Sequence, residues 1–319
     1  MTNASRTVLN MPNATNLQPG DVLLMLGDGA ISQLIAWCGD SLYSHAALVG
    51  DHGELIEVSA EGVCRYPLAR RLKDTANYHY VDAFRPLSYT QQPLQVADVQ
   101  MVMAHAQSFP GVSHPMNQLA TLGVIVAIRG KLPEDHLARV AVHEALDYLV
   151  RDHPSHMLGS EMVYRAFAEC AAEPAKRLAP QVVIQPRGTA PLPRIDWMAL
   201  LRELGMLLHP QRWQALEVTH PILRALARSS SDPPPSASES KTAWHVNDEE
   251  LQRKLQQSQQ MLGVSAHAMA LGSAAGANSV AVHSLNPKLV TPLDLASTPS
   301  HTALGRLMQR PQAVPRVLH

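Results

Sequence analysis

Apolar residues in the first quarter of the chain form short continuous runs, which polar or glycine-containing turns separate. Runs of about four to eight residues bounded by such turns are typical of buried strands. The runs predict strands at residues 22–26, 45–49, 55–58, 63–66 and 78–84, with a short helix at residues 31–37. A turn with glycine at each side, residues 50–54, joins the second strand to the third and predicts a hairpin. We therefore expect a small, mostly antiparallel sheet.

From residue 92 onward the apolar positions recur every three or four residues, which is the spacing of one helix face. This spacing predicts helices at residues 96–106, 137–150, 160–170, 195–208 and 247–262. The apolar segment 115–132 fits either a helix packed into the core or a lid over a pocket. Strands and helices together indicate an α+β fold, in which a small antiparallel sheet packs against helices and further helices follow.

Changes in composition divide the chain into segments. A serine and proline run at residues 229–240 cannot bury enough apolar surface to order itself, so we interpret it as a linker. The predicted segments are a flexible leader at 1–16, the main domain at 17–195, a helical extension at 196–228, a linker at 229–245, and a short helix with a flexible tail at 246–319.

Charge and hydropathy exclude several classes of partner. The formal net charge is -1 over 319 residues, which gives no global field for nucleic acid or an anionic membrane. The most apolar run, residues 119–128, falls far short of the roughly 20 residues that a spanning helix needs. Residues 1–16 are polar and contain no apolar segment of signal-peptide length. We expect a soluble protein, either cytoplasmic or secreted by a route that needs no signal peptide.

The three cysteines, Cys38, Cys64 and Cys170, are widely spaced. They match neither a zinc motif nor a disulfide framework, so a reducing compartment is the simpler interpretation. Such cysteines are more often small buried hydrophobes than reactive thiols. The histidines show no metal-ligand spacing. We predict no metal and no cofactor.

Two titratable residues occupy positions that a buried strand otherwise fills with apolar side chains. His45 opens the second predicted strand, and Glu57 lies inside the third. Antiparallel neighbours bring such side chains within hydrogen-bonding reach, as a general base and its orienting carboxylate require. The alternative for His45 is a core histidine satisfied by a backbone carbonyl. Burying Glu57 without a partner would be costly, and this favours the pair.

A third candidate piece lies far downstream, where a loop opens the predicted helix at residues 160–170. Ser160 is most simply the N-cap of that helix, with its hydroxyl accepting a hydrogen bond from a first-turn N–H. Glu161 then complements the helix dipole. A base and its carboxylate require a nucleophile, but Gly159, at the start of this helix, has no side chain.

Four short motifs occur in an order that is moderately specific. They are Pro19-Gly20-Asp21-Val22, Tyr43-Ser44-His45, Ile56-Glu57-Val58 and Ser160-Glu161-Met162-Val163-Tyr164. In this order they resemble the permuted NlpC/P60 papain-like superfamily, in particular its YiiX/YaeF-like branch, which is related to lecithin retinol acyltransferase. The resemblance covers roughly residues 17–170.

The resemblance implies a circularly permuted papain-like fold and a thiol hydrolase or acyltransferase acting on an amide or ester. It assigns His45 as general base and Glu57 as the group that orients its imidazole. The nucleophilic cysteine of the family corresponds to Gly159, which can neither attack a carbonyl nor hold an acyl group. The implied substrates are a peptide, a glycopeptide or an acyl lipid.

Several readings of this departure remain open. In the first, the chain is an inactivated form of an active enzyme, whether the glycine is natural or introduced. In the second, Ser160 replaces the cysteine as the nucleophile. Alternatively, Cys38 or Cys64 approaches His45 in space. Otherwise the protein is a binding module or a secreted bacterial effector that uses the cleft without catalysis, with the helix at 247–262 engaging a protein partner.

Overall fold

The computed structural model describes residues 16–59, 62–109, 117–152, 157–183, 187–207, 246–264 and 285–311. The strands are Val22–Gly27 (β1), His45–Val49 (β2), Glu54–Ser59 (β3), Gly62–Pro67 (β4), Tyr78–Pro86 (β5) and His301–Gln309 (β6). They form one antiparallel sheet in the order β4-β3-β2-β1-β5-β6. The predicted α+β class, a small antiparallel sheet packed against helices, is confirmed.

Helices follow and flank the sheet. They are Ala30–Cys38 (α1), Leu68–Arg71 (α2), Val96–Ser108 (α3), Asn117–Arg129 (α4), His136–Asp152 (α5), Gly159–Ala168 (α6), Trp197–Leu207 (α7), Asp248–Leu262 (α8) and Pro292–Ser297 (α9). Among the described helices, none combines the length and the apolar character that crossing a membrane requires.

The centre of the sheet is buried on both faces. Successive side chains of a strand point to opposite faces. Val22 and Leu24 of β1 therefore join one apolar cluster, whereas Leu23 and Met25 join another. This double burial explains why β1 reads as a continuous apolar run rather than as an alternation. Helix α6 packs on the first of these faces and contacts β2 and β3.

A second apolar core lies among helices α1, α4, α5, α7 and α8. Leu119, Leu122 and Val126 of α4 are fully buried in it. Of the two alternatives for segment 115–132, the core helix is therefore the one observed in its described part, Asn117–Arg129.

The last part of the chain corrects one expectation. Residues 301–309, which the sequence assigns to a flexible tail, form β6 and pair antiparallel with β5. Arg306 fastens this strand, because its guanidinium donates to both carboxylate oxygens of Asp82 at 2.7 and 2.8 Å. The prediction was wrong because an edge strand is ordered mainly by hydrogen bonds to a distant partner, and the local apolar pattern carries little trace of them.

Helix α8 also belongs to the body of the described structure. Its apolar side chains, Leu251, Leu255 and Leu262, are buried in the helical core. The face that the sequence offers to a protein partner is thus covered by the chain itself. The predicted linker at 229–245, the extension beyond residue 207 and the leader before residue 16 lie outside the described residues.

Candidate functional site

His45 is held in place by its strand and by the residue before it. The N–H of Ser44 donates to the carbonyl of Met25 at 2.9 Å, which fixes the entry to β2 against β1. The side chain of His45 is 22% exposed. Its imidazole is therefore accessible from a cleft but anchored on a buried strand.

Glu57 lies inside β3 and is 3% exposed. β2 and β3 pair so that Ala47 stands opposite Glu57. His45 precedes Ala47 by two residues and so points to the same face of the strand. As a result, Nε2 of His45 lies 3.2 Å from Oε2 of Glu57. The structure brings these two sequence-predicted residues together.

Arg71, which the sequence analysis missed, completes the support of Glu57. Its Nη2 donates to Oε1 of Glu57, and its guanidinium lies between the rings of Tyr66 and Tyr78, with Cζ 4.4 Å from each ring centroid. The only local signal for it is a pair of arginines after β4. Its partner on β3 is recognisable only once the sheet is formed.

The charge of this group follows from its partners. Burial raises the pKa of Glu57, but the hydrogen bond and charge of His45 and the charge of Arg71 outweigh burial, so the net shift is downward. Glu57 is therefore ionised and acts as an acceptor only. Nε2 of His45 then carries the proton that it donates, and Nδ1 remains available as an acceptor.

The first residue of α6 faces this imidazole. A Cβ placed on Gly159 would lie 3.5 Å from Cε1 of His45, so the helix start and the ring meet in one place. The same Cβ would lie 2.7 Å from the carbonyl oxygen of Ala46, closer than real Cβ atoms approach. Both contacts are made by β2, and the second is to rigid backbone. Any other residue at position 159 requires α6 and β2 to separate.

Ser160 lines the same cleft as His45, but its hydroxyl is engaged by another partner. Its hydroxyl donates to the carbonyl of Val290 at 2.7 Å, and the residue is 4% exposed. The expectation that Ser160 caps the helix is wrong, because Leu158 occupies the N-cap position. The carboxylate of Glu161 accepts from the N–H of Leu158 at 3.2 Å and supplies the acidic group near the helix start.

None of the three cysteines of the chain takes the place of the nucleophile. Burial raises the pKa of Cys38 to about 12, and it also raises the pKa of Cys170. Cys64 stands opposite Glu57 on β4. Strand β3 lies between β4 and β2, so Cys64 is about 9–10 Å, two strand spacings, from the strand that carries His45.

His45, Glu57 and Gly159 line one cleft of about 610 Å³, a size typical of small-ligand sites. Glu203 of α7 forms part of its wall, and its two carboxylate oxygens accept from the N–H groups of Ala30 and Ile31 at 2.7 and 3.0 Å. The contact stabilises the N-terminus of α1. It joins residues more than 170 positions apart in sequence, which is why sequence reasoning missed it.

In the described part of the chain, no group of three histidine, cysteine, aspartate or glutamate side chains is arranged to hold a metal ion. His45, Glu57 and Arg71 are instead engaged with one another, and Glu203 is engaged with backbone N–H groups. The arrangement offers an oriented base and a helix N-terminus, but no side-chain nucleophile between them.

Comparison with known proteins adds little to this geometry. No family model matches the chain, and no curated protein matches it. Among solved structures, it is similar to the metalloprotein yiiX from Escherichia coli O157:H7, with a TM-score of 0.36 and 13% identity, over 90% of this chain and 96% of that one. A likeness of this degree assigns no role to any residue.

Proposed function

We propose that this chain is a papain-like protein of the permuted NlpC/P60 type that has lost its thiol chemistry. In this proposal the cleft binds an amide- or ester-containing ligand of peptide, glycopeptide or acyl-lipid class without forming an acyl-enzyme. The order of the elements supports the family: a strand with His45, a strand with Glu57, and a helix whose first residue faces the imidazole.

The close approach of Gly159 to Ala46 is the observation that best supports the proposed loss of thiol chemistry. If the glycine merely replaced a cysteine in an otherwise unchanged site, its absent side chain would leave a gap. Instead, the space where a Cβ would stand lies 2.7 Å from the carbonyl oxygen of Ala46. The packing of α6 on β2 therefore depends on glycine.

The remaining groups suit the recognition of a carbonyl. The first N–H groups of a helix have no acceptor within the helix, so those of Gly159 and Ser160 are donors for a carbonyl oxygen. Nδ1 of His45 accepts from an amide N–H of the same ligand. Glu57 and Arg71 keep the imidazole in this orientation by fixing Nε2.

A titration with N-acetyl-L-alanine methyl ester, which carries one amide and one ester, tests the proposal. NMR of the 15N-labelled protein should show shift changes at the His45 imidazole and at the amides of Gly159 and Ser160, with no hydrolysis of the ester. His45→Gln should abolish these changes. His52→Asn, which alters an exposed histidine in the β2–β3 turn, should not. Hydrolysis that Ser160→Ala removes would overturn the proposal.

The intact His45–Glu57 pair favours a second candidate, hydrolysis by water. Here a water oxygen bonds to the ligand carbonyl carbon while its proton passes to Nδ1 of His45. That proton then passes to the leaving alkoxide or amine as its bond to carbon breaks. Ester hydrolysis that is lost in His45→Gln but resists both iodoacetamide and a fluorophosphonate would support this candidate. No turnover in any variant would exclude it.

A further inference from the structure

Two nearly buried serines line the cleft that contains His45, and both have hydrogen bonds left to make. Ser32 of α1 is 5% exposed, and Ser44, which precedes β2, is 7% exposed. The hydroxyl of Ser32 has no hydrogen-bond partner among the described residues, yet it is not one of the polar atoms that the interior seals from solvent. It therefore opens into the cleft.

Ser44 has one partner and can take another. Its oxygen accepts from the N–H of Gly27 at 3.1 Å. Its O–H proton has no acceptor among the residues that the structure describes. Since a hydroxyl donates one hydrogen bond as well as accepting, Ser44 still offers that proton to a ligand.

Gly27 brings the two hydroxyls to one place. This glycine ends β1 and also lines the cleft. A Cβ on Gly27 would lie 2.5 Å from Oγ of Ser32 and 3.7 Å from Oγ of Ser44. The two hydroxyls are therefore neighbours, and glycine leaves the space beside them open.

The charges nearest to this place disfavour an anion. Glu203 lines the same cleft, and its Oε2 would lie 2.9 Å from a Cβ on Gly29, two residues from Gly27. In the described part of the chain, the partners of Glu203 are backbone N–H groups and not a cation. Asp28, between the two glycines, is a second carboxylate, and it pairs with Arg310. A ligand carboxylate would be repelled here, so the acceptor that suits the two hydroxyls is neutral.

We propose that Ser32 and Ser44 form a subsite for a second, neutral carbonyl group of the ligand. The inference rests on the proposed function, in which a first carbonyl lies at the start of α6 and an amide N–H lies at His45. Ser32 is then a specificity-determining residue, because its hydroxyl donates to the second carbonyl oxygen. A hydrocarbon chain in this place would cover both hydroxyls without pairing them, which is unfavourable. The subsite therefore selects a peptide-like ligand over an acyl lipid.

Two acetamides that differ in the second amide test the subsite by NMR titration of the full-length 15N-labelled protein. N-acetyl-L-alanine N′-methylamide has two amide groups, and N-(butan-2-yl)acetamide has an ethyl group in place of the second. Both should shift the amides of Gly159 and Ser160. The diamide should bind about two- to tenfold more tightly, which is the worth of one net hydrogen bond. Equal affinities would overturn the subsite alone, whereas no shift with either probe would overturn the proposed function and the subsite together.

Ser32→Ala separates ligand binding from folding. The variant removes no hydrogen bond to a described residue, and alanine favours a helix more than serine does, so the urea midpoint should not fall. The affinity for the diamide should fall about two- to tenfold, and that for N-(butan-2-yl)acetamide should stay the same. If Ser32→Ala weakens both probes alike, or neither, the proposal fails.

Ser258→Ala is the matched control. Ser258 of α8 is also a buried helical serine whose hydroxyl has no partner, but that hydroxyl is sealed from solvent, so its removal should change neither affinity. Gly27→Ala provides a second variant, because its Cβ would crowd Oγ of Ser32 and fill the space beside the two hydroxyls. It should also abolish the preference for the diamide. A preference that persists in both Ser32→Ala and Gly27→Ala would place the second carbonyl elsewhere in the cleft and overturn the proposal.

Discussion

Two buried carboxylates flank α1, and each is shared between two basic groups. Glu57 bridges His45 and Arg71 in the smaller cleft. Asp40, which lines a second cleft of about 850 Å³, bridges Arg129 and Lys131. Only one of Glu57's partners is permanently charged, whereas both of Asp40's are. Arg71 also pairs with Asp74, and the charge of Arg129 also acts on Asp294. The two clusters therefore differ in whether a partner can titrate rather than in net charge.

The difference concerns what each cluster can do chemically. The imidazole beside Glu57 can accept or donate a single hydrogen bond, as recognition of an amide or ester requires. Both partners of Asp40 are permanent cations, which suits a role in holding remote segments of the chain together. Stability experiments can sharpen the contrast, because losing one cation has different consequences for the two carboxylates.

Arg71→Met should have the largest effect. It leaves Glu57 buried with only a titratable partner, and breaking a buried ion pair from one side costs about 3–5 kcal/mol. The free energy of unfolding from urea denaturation should fall by this amount. Arg65→Met is the control, since Arg65 pairs with Glu54 at the surface with its side chain 53% exposed, and should cost about 0–1 kcal/mol. Equal losses in the two variants would show that Arg71 has no special role.

Lys131→Met should cost less than Arg71→Met. Asp40 keeps its hydrogen bond to Arg129 in this variant, so no buried carboxylate is left without a permanent cation. The loss is then mainly that of the charged hydrogen bond to Asp40, about 1.5–3 kcal/mol. The carbonyl of Trp37, to which Lys131 also donates, keeps the N–H of Asp40 as a donor. The same urea titration checks it. A loss as large as that of Arg71→Met would mean that the two clusters are energetically alike.

The two clusters also show how much of the site can be predicted from the sequence. His45 and Glu57 are predictable because each interrupts an apolar strand, and the short turn between those strands makes them neighbours. Gly159 is predictable only through the motif after it. Arg71 stacks between Tyr66 and Tyr78, which come from two different strands. Such a contact leaves no local periodicity.

Long-range partners set the same limit elsewhere. Asp40 meets Arg129 and Lys131 about 90 positions later, and Val290 accepts from Ser160 across 130 positions. Local spacing predicts the strands and most described helices, since the apolar period is a property of each segment. It does not predict β6 or the second cleft, because both arise where remote segments meet.

Gly159→Ala tests the packing at the start of α6. In an open helix the change would be favourable by up to about 1 kcal/mol, because glycine is a poor helix former. Here the new Cβ meets the Ala46 carbonyl oxygen, and overpacking of this kind costs about 1–3 kcal/mol. We expect a net loss of unfolding free energy in urea. A gain in stability would show that α6 and β2 separate easily and that room for a cysteine exists.

The smallest expected effect is a change in the slope of stability against pH. The pKa of Glu57 and the pKa of Asp40 both lie below their ordinary values in the folded chain. Burial alone would raise each pKa, but hydrogen bonds and charges from the basic partners outweigh burial. Each group therefore adds stability that is present above its unfolded pKa and is lost as pH falls through the lower folded value. Each proton taken up on unfolding contributes at most about 1.4 kcal/mol per pH unit.

Glu57→Gln and Asp40→Asn separate these two contributions. Asn suits position 40 because its φ of 52° lies in the left-handed region, which asparagine tolerates. Urea titrations between pH 6 and pH 3 should show that each variant loses part of the acid-induced fall, and that the double variant loses more than either. If Glu57→Gln leaves the slope unchanged while Asp40→Asn flattens it, the pKa of Glu57 is the same in the folded and unfolded chain. The contacts of Glu57 with His45 and Arg71 then give its carboxylate no net stabilisation over burial, and the cluster around His45 is weaker than its geometry indicates.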